Sequence, residues 1–174
     1  MAFTYKGQLN GAENPVIRNF LIKDSAHVAV GEALAFNTGA DSAAADNPIL
    51  GICVGIVDSD GIGLDNTAQT LGGTWVSSTK TYTADSDNVA TEHVRAQVIC
   101  DKNALFKCDA DASISAIEEG MKFNLTNATT MNGGAGVDEA GQFELVKYDP
   151  EGVGDASMGL YKICESYGDP YAQQ

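Results

Sequence analysis

Turn-forming residues break this 174-residue chain at such short intervals that no segment between them has the length and spacing of a long amphipathic helix. What lies between the breaks reads as short strands. In "EHVRAQVIC" (92–100), Val94, Ala96, Val98 and Cys100 share one parity, and His93, Arg95 and Gln97 the other. "VIRNFLI" (16–22) places Val16, Phe20 and Ile22 on one face. "HVAVGEALAF" (27–36) does the same with Val28, Val30, Leu34 and Phe36, Gly31 serving as a bulge or turn between two short strands. "ALFKCD" (104–109), "MKFNLTN" (121–127), "QFELVKY" (142–148) and "GLYKICESY" (159–167) are further short strands. "ILGICVGIV" (49–57) is apolar on both parities, which predicts a strand covered on both faces. Only "ASISAIEEG" (112–120), with Ser113 as a cap, reads as a helical turn. The expectation is an all-β fold, mainly an antiparallel barrel or sandwich, with at most one short helix.

Residues 1–15 carry Gly7, Gly11 and Pro15 and predict no regular element before Val16, so they read as an N-terminal arm. Phe3, Tyr5 and Leu9 lie on one extended face of that arm, a pattern suited to docking on a neighbour. Residues 16–174 read as a single β-rich domain. Within it a phrase returns. In "VGEALAFNTG", Gly31 is followed three and five residues later by Leu34 and Phe36; in "EEGMKFNLTNATT", Gly120 is followed likewise by Phe123 and Leu125. Each glycine would turn the chain tightly into a strand whose following apolar side chains enter the core. Two related β-units result, at about 16–58 and 92–167. Between them, 58–90 is a polar excursion holding Trp75 and a hairpin around "TWVSSTKTYT".

Charge and cysteine placement narrow the function classes. Ten Lys and Arg against 24 Asp and Glu give a formal charge of −14, which would repel a phosphate backbone and argues against nucleic acid. No run of about 18 apolar residues is present to cross a membrane. The first residues lack the basic and apolar regions of a secretion signal, so folding in the cytoplasm is expected. Cys53, Cys100, Cys108 and Cys164 form no C-x-x-C pair, and three of them follow isoleucine. They read as buried reduced thiols rather than a zinc site.

Catalytic signatures do not emerge. His27 and His93 stand in no metal spacing and no visible nucleophile–histidine arrangement, and the Gly-rich stretches match neither a dinucleotide fingerprint nor a phosphate loop. Alternate acids at Asp58, Asp60 and Asp65, and at Asp109 and Asp111, resemble fragments of calcium loops but lack the remaining ligands, so they read as polar turns. The expectation is a protein without enzymatic activity, cofactor or metal.

The series "AVGEALAF", "ILGICVGIVDSD", "EHVRAQVICDKNALFKCDADAS" and "EEGMKFNL" resembles the small capsid decoration (cement) proteins of tailed phages, over roughly residues 16 to 165. The excursion at 58–90 and the four cysteines lie outside that pattern. The resemblance implies a β-tulip-like body, usually a homotrimer, on the virion's capsid exterior after assembly in the host cytoplasm. Its partner would be the major capsid protein, whose neighbouring subunits it clamps. A rival reading is a carbohydrate- or receptor-binding β-module of a virion fibre or cell surface, with Trp75 and Tyr82 as a surface aromatic contact.

Overall fold

The alternating segments become strands. The computed structural model describes residues 2–11, 14–45, 47–91, 93–134 and 141–164. In chain order the strands are β1 (Thr4–Gln8), β2 (Ile17–Leu21), β3 (His27–Ala29), β4 (Ala33–Phe36), β5 (Ala40–Ser42), β6 (Ile49–Asp58), β7 (Thr74–Val76) and β8 (Thr81–Thr83). They continue with β9 (Val94–Ile99), β10 (Ala104–Asp109), β11 (Lys122–Phe123), β12 (Leu125–Asn127), β13 (Thr130–Met131), β14 (Phe143–Tyr148) and β15 (Met158–Ile163). Every ladder between these strands is antiparallel. The fold is all-β and sandwich-like, with no closed barrel.

One five-stranded sheet runs β1-β10-β15-β14-β11, and a second runs β2-β9-β6-β4-β5. A three-stranded sheet, β3-β8-β7, and the β12-β13 pair complete the set. The second sheet is the middle layer. Ala33, Ala35, Ile49, Ile52 and Ile99 on one of its faces join Phe106, Phe143 and Tyr161 of the first sheet in one core. Leu34, Leu50, Cys53, Ala96 and Val98 on its other face join Val28 and Tyr82 of the small sheet in another. β6 is therefore covered on both sides, as its composition requires. Register shifts opposite Leu34/Ala35 and between Cys53 and Gly55 let it serve both cores. The sheet curls until Ile22 bridges to Ala40, without closing a ladder.

The short helix α1 (Asn88–Thr91) lies outside the predicted helical turn. Buried Asn88 explains it: its side-chain amide donates to the carbonyls of Ile22 (2.6 Å) and Val94 (3.2 Å) and its oxygen accepts from the Val94 amide. The predicted turn at 112–120 is a 3-10 turn at Ala116–Glu118, capped by Ser115 and Glu118 rather than by Ser113.

Three expectations need correction. The N-terminal segment is not an arm, because β1 adds to the edge of the first sheet, pairing Thr4 with Lys107 and Gln8 with Ala104. Phe3 is buried, stacked on Phe143 at 5.1 Å and edge-on to Phe106 at 6.5 Å, while Tyr5 meets Phe106 at 6.2 Å. Gly7 does not break the strand; a bulge between Tyr5 and Gly7 absorbs it. β9, expected to open a second unit at 92, instead lies between β2 and β6 and completes the first unit's sheet. Phe36, expected inside, is exposed on the rim beside Phe20 at 6.4 Å, because β4 ends there and turns into β5.

Candidate functional site

Gly31 and Gly120 both take positive φ, +89° and +86°, so each turn is one that a side chain would strain. Beyond Gly120 both following apolar residues, Phe123 and Leu125, are buried; beyond Gly31 only Leu34 is. The four thiols are free, with Cys53, Cys108 and Cys164 buried and Cys100 half-buried. Burial pushes the Cys53 and Cys108 thiols up to about 12 and Cys100 to about 11, so none is poised as a nucleophile.

The acidic turns are hydrogen-bonded structures in their own right. Buried Asp58 accepts from the Thr67 hydroxyl and from the amides of Asp60 (3.0 Å) and Ile62 (2.9 Å). The Thr67 bond, ahead of the amides, holds its carboxyl below the usual range. Asp111 likewise accepts from the Thr126 hydroxyl and the Gly133 amide. Among the described residues no three His, Cys, Asp or Glu side chains gather as a metal site.

Of the predicted aromatic pair, Tyr82 is fully buried and offers no surface contact. Trp75 pairs with it across β7 and β8 but is only half-buried. The cause is position: β8 is inside its sheet, between β3 and β7, and β7 is the edge. Trp75 lines a hollow of about 270 Å³ together with Val54, Ile56, Gly63, Asp65, Asn66 and Lys80. Its indole N–H donates to Asp65 Oδ1 at 2.9 Å, and Lys80 pairs with Asp65 Oδ2 while standing 6.0 Å from the indole ring centre. Lys80 first, then Ser77 and Trp75, hold the Asp65 carboxyl well below the ordinary carboxylate range.

A second surface comes from β2, whose open side the sequence did not disclose. The Val16 carbonyl accepts from the Cys100 amide and the Ile22 amide donates to the Val94 carbonyl, both at 3.2 Å. Antiparallel alternation then turns the N–H and C=O groups of Ile17, Asn19 and Leu21 away from β9. Among the described residues no strand pairs with β2 on that side. The open stretch is short: at its end Ile22 bridges in parallel to Ala40, and the Lys23 amide donates to the Ala40 carbonyl, so only the groups of Ile17 and Asn19 are wholly open. Val16 and Ile17 are each 50% exposed there, beside exposed Arg18 and Asn19, so the edge is apolar at its start and polar beyond. Of the predicted docking trio, Leu9 is also 50% exposed, Tyr5 packs partly buried against the core and Phe3 is buried in it.

No protein-family model matches this chain, and neither a curated protein nor a solved structure matches it. The class that stands on the geometry is an all-β antiparallel sandwich with a strand edge, β2, that is open and apolar over its first residues.

Proposed function

We propose that this chain is a non-enzymatic structural virion protein that binds the outer surface of a phage capsid and stabilises contacts between major capsid subunits. The sequence resemblance motivates the reading, and the open β2 edge is the observation that supports it best. An exposed strand edge is a hazard that proteins usually blunt with charge, proline or cover. Here Val16 and Ile17 leave part of it apolar, which suits addition of a partner strand: main-chain hydrogen bonds supply affinity, and alternate side chains specificity. The docking role assigned by sequence to Phe3 and Tyr5 passes to this edge, since both are used inside the fold.

The experiment is co-sedimentation with undecorated capsids. Asn19→Pro removes an N–H that points away from β9 and so leaves the β2–β9 ladder intact. Ile17→Lys places a charge on the apolar strip. Both variants are expected to melt close to the parent and to bind capsids at least about tenfold more weakly, a factor worth roughly 1.4 kcal/mol. Parental binding by both folded variants would remove the edge from the proposal, and absence of binding by the parent itself would remove the function.

A further inference from the structure

Trp75 is the only tryptophan of the chain, and it stands in the wall of a surface hollow. Val30, Val54, Ile56 and Leu64 give the hollow its apolar lining, and Asp65, Asn66 and Lys80 its polar lining. The polar lining carries one cation and one anion, paired to each other, so it is neutral within a chain of charge −14.

These features select a ligand class. An aromatic side chain beside apolar lining takes C–H surface, and donors and acceptors in the same lining take hydroxyls. Anions are repelled by the field of the whole chain. With Tyr82 buried, only one ring is left to hold a cation, where cation-binding cages use several. The volume of about 270 Å³ falls just under the low end of ordinary ligand pockets, roughly 300 Å³, so one ring fits rather than a long chain. We propose that this hollow binds one ring of a neutral pyranose sugar, its C–H face against Trp75 and its hydroxyls on Asp65, Asn66 and Lys80. No residue of β2 lines the hollow, so the inference stands or falls separately from capsid docking. A site this small and open binds weakly when single, and many copies on one particle would bind through avidity.

Because Trp75 is the only indole, emission excited at the red edge, where tyrosine does not absorb, reports on Trp75 alone. The probes are methyl α-glucoside, methyl β-galactoside and N-acetylglucosamine, with sorbitol and choline as controls. At least one sugar is expected to give a saturable emission change with half-saturation in the millimolar range, and the controls none. Two variants test location. A side chain at Gly63 meets open space, so Gly63→Leu keeps the fold while crowding the hollow. Asn66→Ala removes one polar lining group. Each should weaken the sugar response at least about tenfold at an unchanged melting temperature, a loss equal to roughly 1.4 kcal/mol. No saturable response to any of the three sugars at roughly 100 mM, where even a millimolar site is filled, would overturn the proposal. So would an undiminished response in both variants, or saturation by choline in place of the sugars.

Discussion

Gly31 and Gly120 share a backbone conformation but not an environment, and substitution should separate them. A Cβ at Gly120 meets nothing within 4 Å, so Gly120→Ala bears the conformational cost alone, about 1–2 kcal/mol. At Gly31 the same atom would lie 2.6 Å from the Ala2 Cβ and 3.3 Å from the Phe3 carbonyl oxygen. The Gly31 carbonyl also accepts the Phe3 amide at 2.8 Å, so crowding there disturbs the entry of β1. Gly31→Ala should therefore lose a further ~1–3 kcal/mol by overpacking. Urea titration of the two variants checks the order, and equal losses would contradict it. The thiols give a second prediction at this scale. Cys53 and Cys108 are raised by burial from an ordinary value of 9.0 to about 12, so the folded protein holds protons that the unfolded chain releases. Their contribution to stability is complete below pH 9 and is lost as pH rises from about 9 towards 12. Melting temperature should fall across that window, and less steeply in Cys53→Ala once its own baseline is subtracted. At pH 8 native alkylation should be slow at both sites, while all four cysteines react after denaturation.

At the scale of elements, β1 is decisive. Its deeply buried neighbour in sequence, Phe3, touches Phe106 on β10 and Phe143 on β14, and so ties the chain start to two strands of the first sheet. Phe3→Ala should cost about 3–5 kcal/mol, the usual range for emptying an aromatic core site. Denaturant unfolding measures this directly; a loss below about 1 kcal/mol would mean that the chain start adds little to the core. Deleting residues 2–9 should be more severe, because it also strips the ladder from β10. The β2 edge behaves differently, since only one side of it is engaged by β9. Changes to its outward groups should alter association more than stability.

For the whole molecule, the middle sheet decides cooperativity. It presents one face to each core, so neither half of the chain can bury its apolar surface alone. β1 strengthens the coupling by carrying the first residues into the sheet built from the last strands. One unfolding transition is expected, with coincident curves from far-ultraviolet circular dichroism and from Trp75 fluorescence. A fragment of residues 16–100 should be unfolded or aggregated, because it leaves Ala33, Ala35, Ile49, Ile52 and Ile99 uncovered. Two separated transitions would mean that the halves fold independently. Assembly belongs to this scale too. The proposed capsid role carries the expectation of a homotrimer, three times the 18.2 kDa chain by light scattering, on or off the capsid. A monomer in both settings would contradict it.

Local physics is legible in the order of the amino acids. Period-two alternation locates the main strands after residue 16, because which side chains face inward along a strand is a property of a few consecutive residues. Apolar composition on both parities marks β6 as covered twice, and the two glycine turns follow from backbone sterics at Gly31 and Gly120. Alternation says that one face is buried; it does not say against which sheet. Tertiary structure alone sends β1 to β10, about a hundred residues away, and β9 between β2 and β6. It also buries Tyr82 while leaving Trp75 at an edge, though the two sit in one hairpin with similar apolar character. The open side of β2 is hidden from the sequence for the same reason: a strand becomes an edge only when long-range pairing ends, and no residue within it records that fact.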